Sequence, residues 1–88
     1  MQTPTTKVSV MRVLDGSGDK QVTWEPERAA AGDAEAQAAL REAERIFEKA
    51  RSNGAQAFQI LPHGPAQRMV RFDPQVSEVL VIPAMVGG

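Results

Sequence analysis

The sequence predicts one small α+β domain, with one main helix packed across a mixed sheet of four to five strands. Three observations lead to this fold class. Alternating, valine-rich segments lie at the N-terminus, a long amphipathic segment follows, and short apolar segments complete the chain. Hydrophobic residues make up 42% of the 88 residues, which suits one core. A hairpin and an amphipathic helix each have one apolar face to bury, and a two-layer domain buries both.

The N-terminal part predicts an antiparallel hairpin. Residues 7–14 are rich in valine, and residues 20–24 alternate between apolar and polar side chains. The stretch DGSGD at 15–19 between them is typical of a turn, because glycine reaches positive φ without steric conflict. The alternation shifts near Met11 and Arg12. This shift indicates either a β-bulge or a strand buried on both faces.

The middle of the chain predicts the main helix. Residues 25–32 are compatible with a short helix that Pro26 opens and Gly32 closes. Asp33 is then the expected N-cap of a long helix, and Asn53-Gly54 the expected stop. The apolar side chains recur with helical period at Ala36, Ala39, Leu40, Ala43, Ile46, Phe47 and Ala50. Charges on the other face predict ion pairs at Arg41–Glu44, Glu42–Arg45, Arg45–Glu48 and Glu48–Arg51.

Three further strands are predicted after the helix. Residues 56–61 place Phe58 and Ile60 on one face, and residues 68–72 alternate again. The unbroken apolar run at 78–82 is typical of a central strand covered on both faces, and we expect it beside the first strand. The order of elements, β-β-α-β-β-β, is that of the β-grasp arrangement.

Composition excludes several classes of function. The chain has no cysteine, which excludes disulfides, thiolate metal sites and a cysteine nucleophile, and favours a reducing cytoplasm. A net charge of −1 with mixed signs argues against a nucleic-acid partner. No apolar run approaches the ~20 residues of a membrane span. The first residues lack the pattern of a signal peptide, so we expect neither a membrane partner nor secretion.

Candidate enzyme residues are few. His63 is the only histidine, and its neighbours Pro62 and Gly64 indicate an exposed loop without catalytic or metal-binding partners. The oxygens of residues 15–19 lack the rest of a calcium loop, so a turn is the better interpretation. Trp24 is expected in the core, and it becomes a partner anchor only if it is exposed. We therefore expect a protein that is not an enzyme and holds neither a metal nor a cofactor.

The C-terminal residues 83–88 are the strongest functional candidate. Pro83 cannot donate a hydrogen bond and limits further sheet pairing. Fully extended, this tail reaches about 20 Å, far enough to enter the active site of a partner enzyme. Gly87 and Gly88 have no side chains and pass a narrow channel at any backbone angle. The terminal carboxylate is ionised at neutral pH and a poor electrophile, but adenylation by ATP makes it reactive.

The segment VIPAMVGG, residues 81–88, resembles the tails of ubiquitin-like β-grasp proteins. It is similar to bacterial ubiquitin-like modifiers and to the sulfur carriers of molybdopterin and thiamine synthesis. The resemblance implies a domain at 1–82 and a flexible tail at 83–88, with Gly88 as the activated residue and Gly87 as the channel glycine. The residues that guide the tail into the activating enzyme are then Pro83, Ala84, Met85 and Val86.

The resemblance also implies the partners. An adenylating enzyme related to ubiquitin-activating enzymes uses ATP and Mg²⁺ to activate the terminal glycine. A modifier then passes to a target amine, with a conjugating enzyme and a deconjugating protease as further partners. The alternatives are a sulfur carrier with a C-terminal thiocarboxylate, and a non-covalent interaction or scaffold subunit. Conjugation is favoured narrowly, because the additional loops offer more recognition surface than a minimal carrier needs.

Overall fold

The computed structural model describes residues 7–15 and 18–84, which form an α+β fold with a five-stranded mixed sheet. The strands are β1 Ser9–Asp15, β2 Gly18–Trp24, β3 Gln56–Gln59, β4 Gln67–Met69 and β5 Glu78–Ile82. The helices are α1 Pro26–Ala30 and the main helix α2 Ala34–Ser52. The predicted α+β class, with one main helix across a mixed sheet, is confirmed.

The last strand lies in the middle of the sheet. The strand order is β2-β1-β5-β3-β4, and β5 is parallel to β1 and antiparallel to β3. The two hairpin-like pairs, β1 with β2 and β3 with β4, are antiparallel and form the two sides of the sheet. The sequence-based expectation that the last strand is central and beside the first is confirmed. Val81 is thereby paired on both sides, with Val13 of β1 and Ala57 of β3, and Ile82, the residue before the tail, is paired with Gln56 of β3.

The hairpin is more regular than predicted. Its register runs without interruption from Ser9 opposite Trp24 to Asp15 opposite Gly18, so the bulge considered near Met11 is absent from this strand pair. The prediction of a five-residue turn at 15–19 is also wrong. Strand β1 continues through Asp15, and β2 starts at Gly18, where φ is +125°. The apparent shift in alternation has a simple cause. Ser9 takes a core position, fully buried, where the pattern of apolar residues suggested an outward one.

Helix α2 forms as predicted. The carboxylate of Asp33 caps it by accepting a hydrogen bond from the Ala36 N–H at 2.9 Å. After the helix, Gly54 has a φ of +93°, as expected of a glycine stop. All seven residues of the predicted apolar stripe are buried or half-buried. The short helix before it is also present, with Pro26 in its first turn and a positive φ at Gly32.

The charged face of α2 differs from the prediction. Within the described ranges, Glu42–Arg45 is the only one of the four predicted ion pairs to form. The guanidinium of Arg45 makes a bidentate ion pair with Glu42 and cannot make the same bidentate pair with Glu48 at the same time. Exposed pairs of this kind gain too little free energy to fix long side chains in one rotamer. Sequence spacing alone therefore overestimated the ion pairing.

The structure decides which side chains of the strands after the helix face the core. In β3 the buried residue is Ala57, whereas Phe58 lies on the opposite face, and Ile60 lies beyond the strand. In β5 the helix covers one face only: Val79 and Val81 are buried and Leu80 is half-buried on the other side. The prediction of a strand covered on both faces is therefore wrong. The sequence of β5 reads as an unbroken apolar run although only one face of the strand is covered. The reason is that the side chains on its uncovered face are apolar as well.

The aromatic core gathers around Trp24, which is 1% exposed, so the expected core position is confirmed. The ring of Phe72 lies 5.1 Å from that of Trp24 and 5.6 Å from that of Phe47. Phe72 does this from outside a strand, because β4 ends at Met69 and is shorter than predicted. Val70 is 66% exposed. The segment after β4 thus contributes Phe72 and Val76 to the core by side-chain packing and not by strand pairing.

Candidate functional site

The candidate site is the point where β5 leaves the sheet, which we call the tail root (Ile82, Pro83 and Ala84). Ile82 is the last paired residue of β5 and lies opposite Gln56. Pro83 and Ala84 follow outside the strand and are exposed. The missing N–H of Pro83 removes the donor that a longer ladder requires. The chain therefore changes from a central strand to exposed residues between Ile82 and Pro83.

The two predicted tail residues inside the described part of the chain are thus accessible to a partner. The remaining predicted site residues are Met85, Val86, Gly87 and Gly88, and all four lie outside the described residues. The structure brings Pro83 and Ala84 next to elements that are distant in sequence.

The loop that ends α2 contacts the tail root. A Cβ atom placed on Gly54 would lie 3.3 Å from the Cβ of Ala84, closer than most such contacts in proteins. Two features of the structure therefore favour glycine at position 54: the positive φ and the close approach of the tail root. Sequence reasoning identified only the first, as a helix stop. No local pattern reveals the second, because it depends on where β5 ends relative to α2.

Two clefts flank the tail root. One, of about 170 Å³, lies on the side of α2, and the other, of about 410 Å³, lies on the opposite side. The first is lined mainly by apolar side chains, including Val13, Leu14, Ala50, Ala55, Val81 and Pro83. The second is lined by Gly54, Gln56, Phe58, Ile82, Pro83 and Ala84. A partner protein that binds the tail would therefore contact apolar surface on both sides of Pro83.

The sheet face opposite α2 continues the second cleft. On this face Phe58 lies opposite Leu80, and Leu80 lies beside Arg12 in β1. The apolar side chains are half-buried, although no helix covers them within the described ranges. Arg12 forms a long ion pair with Glu78, with 3.9 Å between its Nη1 and the carboxylate. This face, which the sequence-based interpretation had assigned to the interior, is accessible surface next to the tail root.

Electrostatic perturbations lie away from the tail root. The hydrogen bond from the Ala36 N–H, followed by that from the Arg28 side chain, lowers the pKa of Asp33. On the exposed face of α2, the hydrogen bond that the Arg45 side chain donates to Glu42 lowers the pKa of that carboxylate. The same pairs raise the pKa values of Arg28 and Arg45. These carboxylates serve helix capping and surface pairing, and neither approaches Pro83 as an acid or base.

The other sequence candidates do not assemble a site. His63 is exposed in the loop between β3 and β4. In the described part of the chain, no three His, Cys, Asp or Glu residues come close enough to hold a metal ion. Of the DGSGD turn, Gly16 and Ser17 lie outside the described residues. None of the helices in the described ranges is long and apolar enough to cross a membrane.

Comparison with known proteins gives no relative. The chain matches no protein-family model, no curated protein and no solved structure at a significant level.

Proposed function

We propose that this chain is a ubiquitin-like modifier with a β-grasp fold, whose C-terminal glycine carboxylate is activated and joined to an amine of a target protein. One observation carries the proposal. The central strand β5 runs straight into exposed Pro83 and Ala84, and the glycine pair Gly87-Gly88 follows in the sequence. A rigid anchor followed by accessible chain is what a substrate needs if its last residues enter another enzyme while the domain stays outside.

The fold supports the same conclusion. A β-grasp domain requires an N-terminal hairpin, a helix across one sheet face and a last strand parallel to the first. The order β2-β1-β5-β3-β4 and the parallel pairing of β1 with β5 are compatible with this arrangement. Other small α+β folds share parts of it, so the tail is the stronger argument.

The chemistry requires no catalytic group from this chain. In the activating enzyme, a Gly88 carboxylate oxygen attacks the α-phosphorus of ATP, and pyrophosphate leaves while Mg²⁺ balances the phosphate charge. A lysine amine of the target then attacks the carbonyl carbon of Gly88. AMP leaves, the amine loses a proton, and an isopeptide bond remains. Gly87 and Gly88 present no side chain that hinders either attack.

The tail root is the surface that the activating enzyme contacts in this proposal. Pro83 and Ala84 supply exposed backbone, and the clefts on either side of them supply apolar surface. Met85 and Val86 continue the guiding segment toward the glycines. A conjugating enzyme and a deconjugating protease are the further expected partners. Because activation consumes ATP, the proposal assigns the reaction to the cytoplasm, with neither a nucleic acid nor a membrane as partner.

The test is intact-mass and adduct analysis of the protein expressed in its host with an N-terminal tag. A modifier gives tagged adducts of higher mass, in which Gly88 is joined to a lysine of the target. Deletion of Gly87 and Gly88 abolishes these adducts. The matched control is His63→Ala, an exposed loop substitution that leaves the adduct pattern unchanged.

Other outcomes lead to other functions. A sulfur carrier gives no adducts, and its intact mass rises by the difference between a sulfur and an oxygen atom. An interaction or scaffold subunit functions equally well after deletion of both glycines. That last result would exclude both the modifier and the carrier.

A further inference from the structure

The pair Asn53-Gly54 at the end of α2 has a chemical reactivity that the proposed function does not use. Asn53 is the only asparagine of the chain, and it is exposed. Because the following residue is a glycine, no Cβ atom hinders the backbone nitrogen next to the asparagine. That nitrogen can attack the amide carbon of the asparagine side chain, which is the first step of deamidation.

Water is the only co-reactant that this reaction requires. The Gly54 nitrogen gives its proton to hydroxide and forms a bond with Cγ of Asn53. The bond between Cγ and the side-chain nitrogen breaks, and that nitrogen takes up a proton and leaves as ammonia. Water then opens the resulting succinimide ring at one of its two carbonyl carbons, which yields aspartate or isoaspartate. In isoaspartate the main chain runs through Cβ and Cγ, so it is longer by one carbon atom.

The folded end of α2 protects Asn53 from ring closure. The Gly54 N–H donates a hydrogen bond to the Arg51 carbonyl at 3.0 Å, and the Ala55 N–H donates one to the Ala50 carbonyl at 3.0 Å. Together these two bonds form a Schellman motif, which ends the helix. The ψ angle of Asn53 is 7°, so the Gly54 nitrogen lies next to the Asn53 nitrogen and away from its Cβ. Ring closure therefore requires the last turn of α2 to open.

The modified residue would lie at the contact between α2 and the tail root. Asn53 lines the same cleft as Pro83 and Ala84, and Gly54 approaches Ala84 closely. If the main chain between Asn53 and Gly54 becomes longer, the two hydrogen bonds of the Schellman motif cannot both keep their present geometry. Isoaspartate therefore displaces Gly54 relative to Ala84, whereas aspartate leaves the backbone unchanged.

The new negative charge has a smaller effect than the longer backbone. A carboxylate at the C-terminal end of a helix is opposed by the partial negative charge of the last carbonyl groups. Asn53 also lines a groove together with Lys20 and Lys49, and the two ammonium charges offset this opposition. We therefore expect the aspartate product to resemble the original protein, and the isoaspartate product to differ from it.

We propose that Asn53 is a site of spontaneous deamidation, that opening of the last turn of α2 controls the reaction, and that the isoaspartate product displaces the tail root. Helix ends open at a lower free energy than the domain unfolds, so the folded protein reacts through local opening. In the activation proposed above, isoaspartate chains would be activated more slowly. Only this last consequence rests on the proposed function, because deamidation itself involves neither ATP nor an enzyme.

The test incubates the full chain at mildly alkaline pH in water enriched in heavy oxygen. Intact mass follows the replacement of the amide by a carboxylate, and peptide mapping places the heavy oxygen at residue 53. A protein isoaspartyl methyltransferase with its methyl donor labels the isoaspartate fraction. Asn53→Gln is the reference that does not react, because glutamine closes the corresponding ring much more slowly.

The native chain should deamidate at Asn53, but about tenfold or more slowly than the same chain in concentrated urea. Equal rates with and without urea would overturn protection by the helix end. A native chain in which Asn53 stays intact while the chain in urea reacts would overturn local opening. These readouts do not involve the activating enzyme, so they stand or fall independently of the proposed conjugation.

Two matched glycine substitutions separate local opening from global unfolding. Ala50→Gly weakens the last turns of α2 without changing the Asn-Gly pair, so deamidation of the native chain should accelerate by about fivefold. Ala38→Gly makes the same change at an exposed position nearer the start of α2 and should alter the rate by less than about twofold. Equal acceleration by both substitutions would show that global unfolding exposes Asn53, against the proposal.

Displacement of the tail root is measured by nuclear magnetic resonance at the methyl group of Ala84. This resonance should shift in the purified isoaspartate fraction. In Asn53→Asp, which has the new charge on an unchanged backbone, the resonance should stay close to that of the original protein. An unchanged resonance in the isoaspartate fraction, or an equal shift in Asn53→Asp, would overturn the link between the modified backbone and the tail root.

Discussion

The indole Nε1–H of Trp24 donates a hydrogen bond to the carbonyl oxygen of Pro74 at 3.0 Å. This bond joins the end of β2 to the segment that leads into β5. Trp24 also packs against Phe72 in the same segment. The irregular chain before the central strand is therefore held by one side chain of the hairpin, through packing and a directional contact.

Replacing Trp24 by Phe should reduce the free energy of unfolding by about 1–3 kcal/mol, since it removes buried volume and leaves the Pro74 carbonyl without its donor. Urea unfolding followed by circular dichroism measures the change. Val70→Ala, at a largely exposed apolar position, is the control and should stay within about 0.5 kcal/mol of the original protein. A loss for Trp24→Phe no larger than that of the control would mean that the contact does not stabilise the domain.

Ser9 offers the opposite case, because its hydroxyl is fully buried without a hydrogen-bond partner among the residues that the structure describes. A buried hydroxyl without a partner opposes folding. Ser9→Ala should therefore leave the free energy of unfolding unchanged or raise it by up to about 1 kcal/mol. Denaturant unfolding decides this, and a destabilisation beyond about 1 kcal/mol would show that the hydroxyl has a partner, such as a buried water.

The capping residue Asp33 should give the fold a specific dependence on pH. Its pKa is lowered from the ordinary value of 3.8, first by the Ala36 N–H and then by Arg28. A carboxylate with a lowered pKa in the folded state stabilises the fold above its ordinary pKa. This contribution is lost as the pH falls through the folded-state pKa. Thermal stability should therefore decrease below pH 3.8 partly because Asp33 becomes protonated.

Two variants isolate this effect in melting curves recorded across acidic pH. Asp33→Asn retains a capping side chain but does not titrate, so its melting temperature should vary less with pH than that of the original protein. Asp33→Ala should melt at lower temperature at neutral pH, because it loses the cap. Glu44→Gln, on the exposed face of α2, removes one carboxylate as a control. If Asp33→Asn and Glu44→Gln change the pH dependence alike, Asp33 has no special role.

The contact between Gly54 and Ala84 can be separated from backbone strain. Gly54→Ala introduces strain at a φ of +93° and a Cβ atom 3.3 Å from that of Ala84. Gly32→Ala introduces strain at a φ of +99° with no atom within 4 Å. Each should destabilise by about 1 kcal/mol through strain, and Gly54→Ala should exceed Gly32→Ala by a few tenths.

A double-mutant cycle with Ala84→Gly tests where that excess originates. The excess should disappear in the Ala84→Gly background, because the second Cβ is then absent. If the tail root guides activation, Gly54→Ala should also slow formation of adducts in the conjugation assay, whereas Gly32→Ala should not. Additive effects in the cycle would show that the helix stop and the tail do not interact.

Local patterns were sufficient for the main helix and the overall class. The apolar stripe of α2, the cap at Asp33 and the stop at Gly54 were all predicted from neighbouring residues. Helix formation depends on contacts within a few positions along the chain, so the sequence itself contains the information. The central position of β5 also followed from its composition, and the terminal glycine pair was visible directly.

Tertiary structure decided which faces of the strands are covered and what surrounds the tail root. A run such as EVLVI does not tell whether one or both faces are buried, and only the placement of α2 left Leu80 and Phe58 on an accessible face. The approach of Gly54 to Ala84 and the gathering of Lys20 with Lys49 join residues that are 30 or 29 positions apart. Contacts at such separations depend on how the elements pack, and no local pattern specifies that packing.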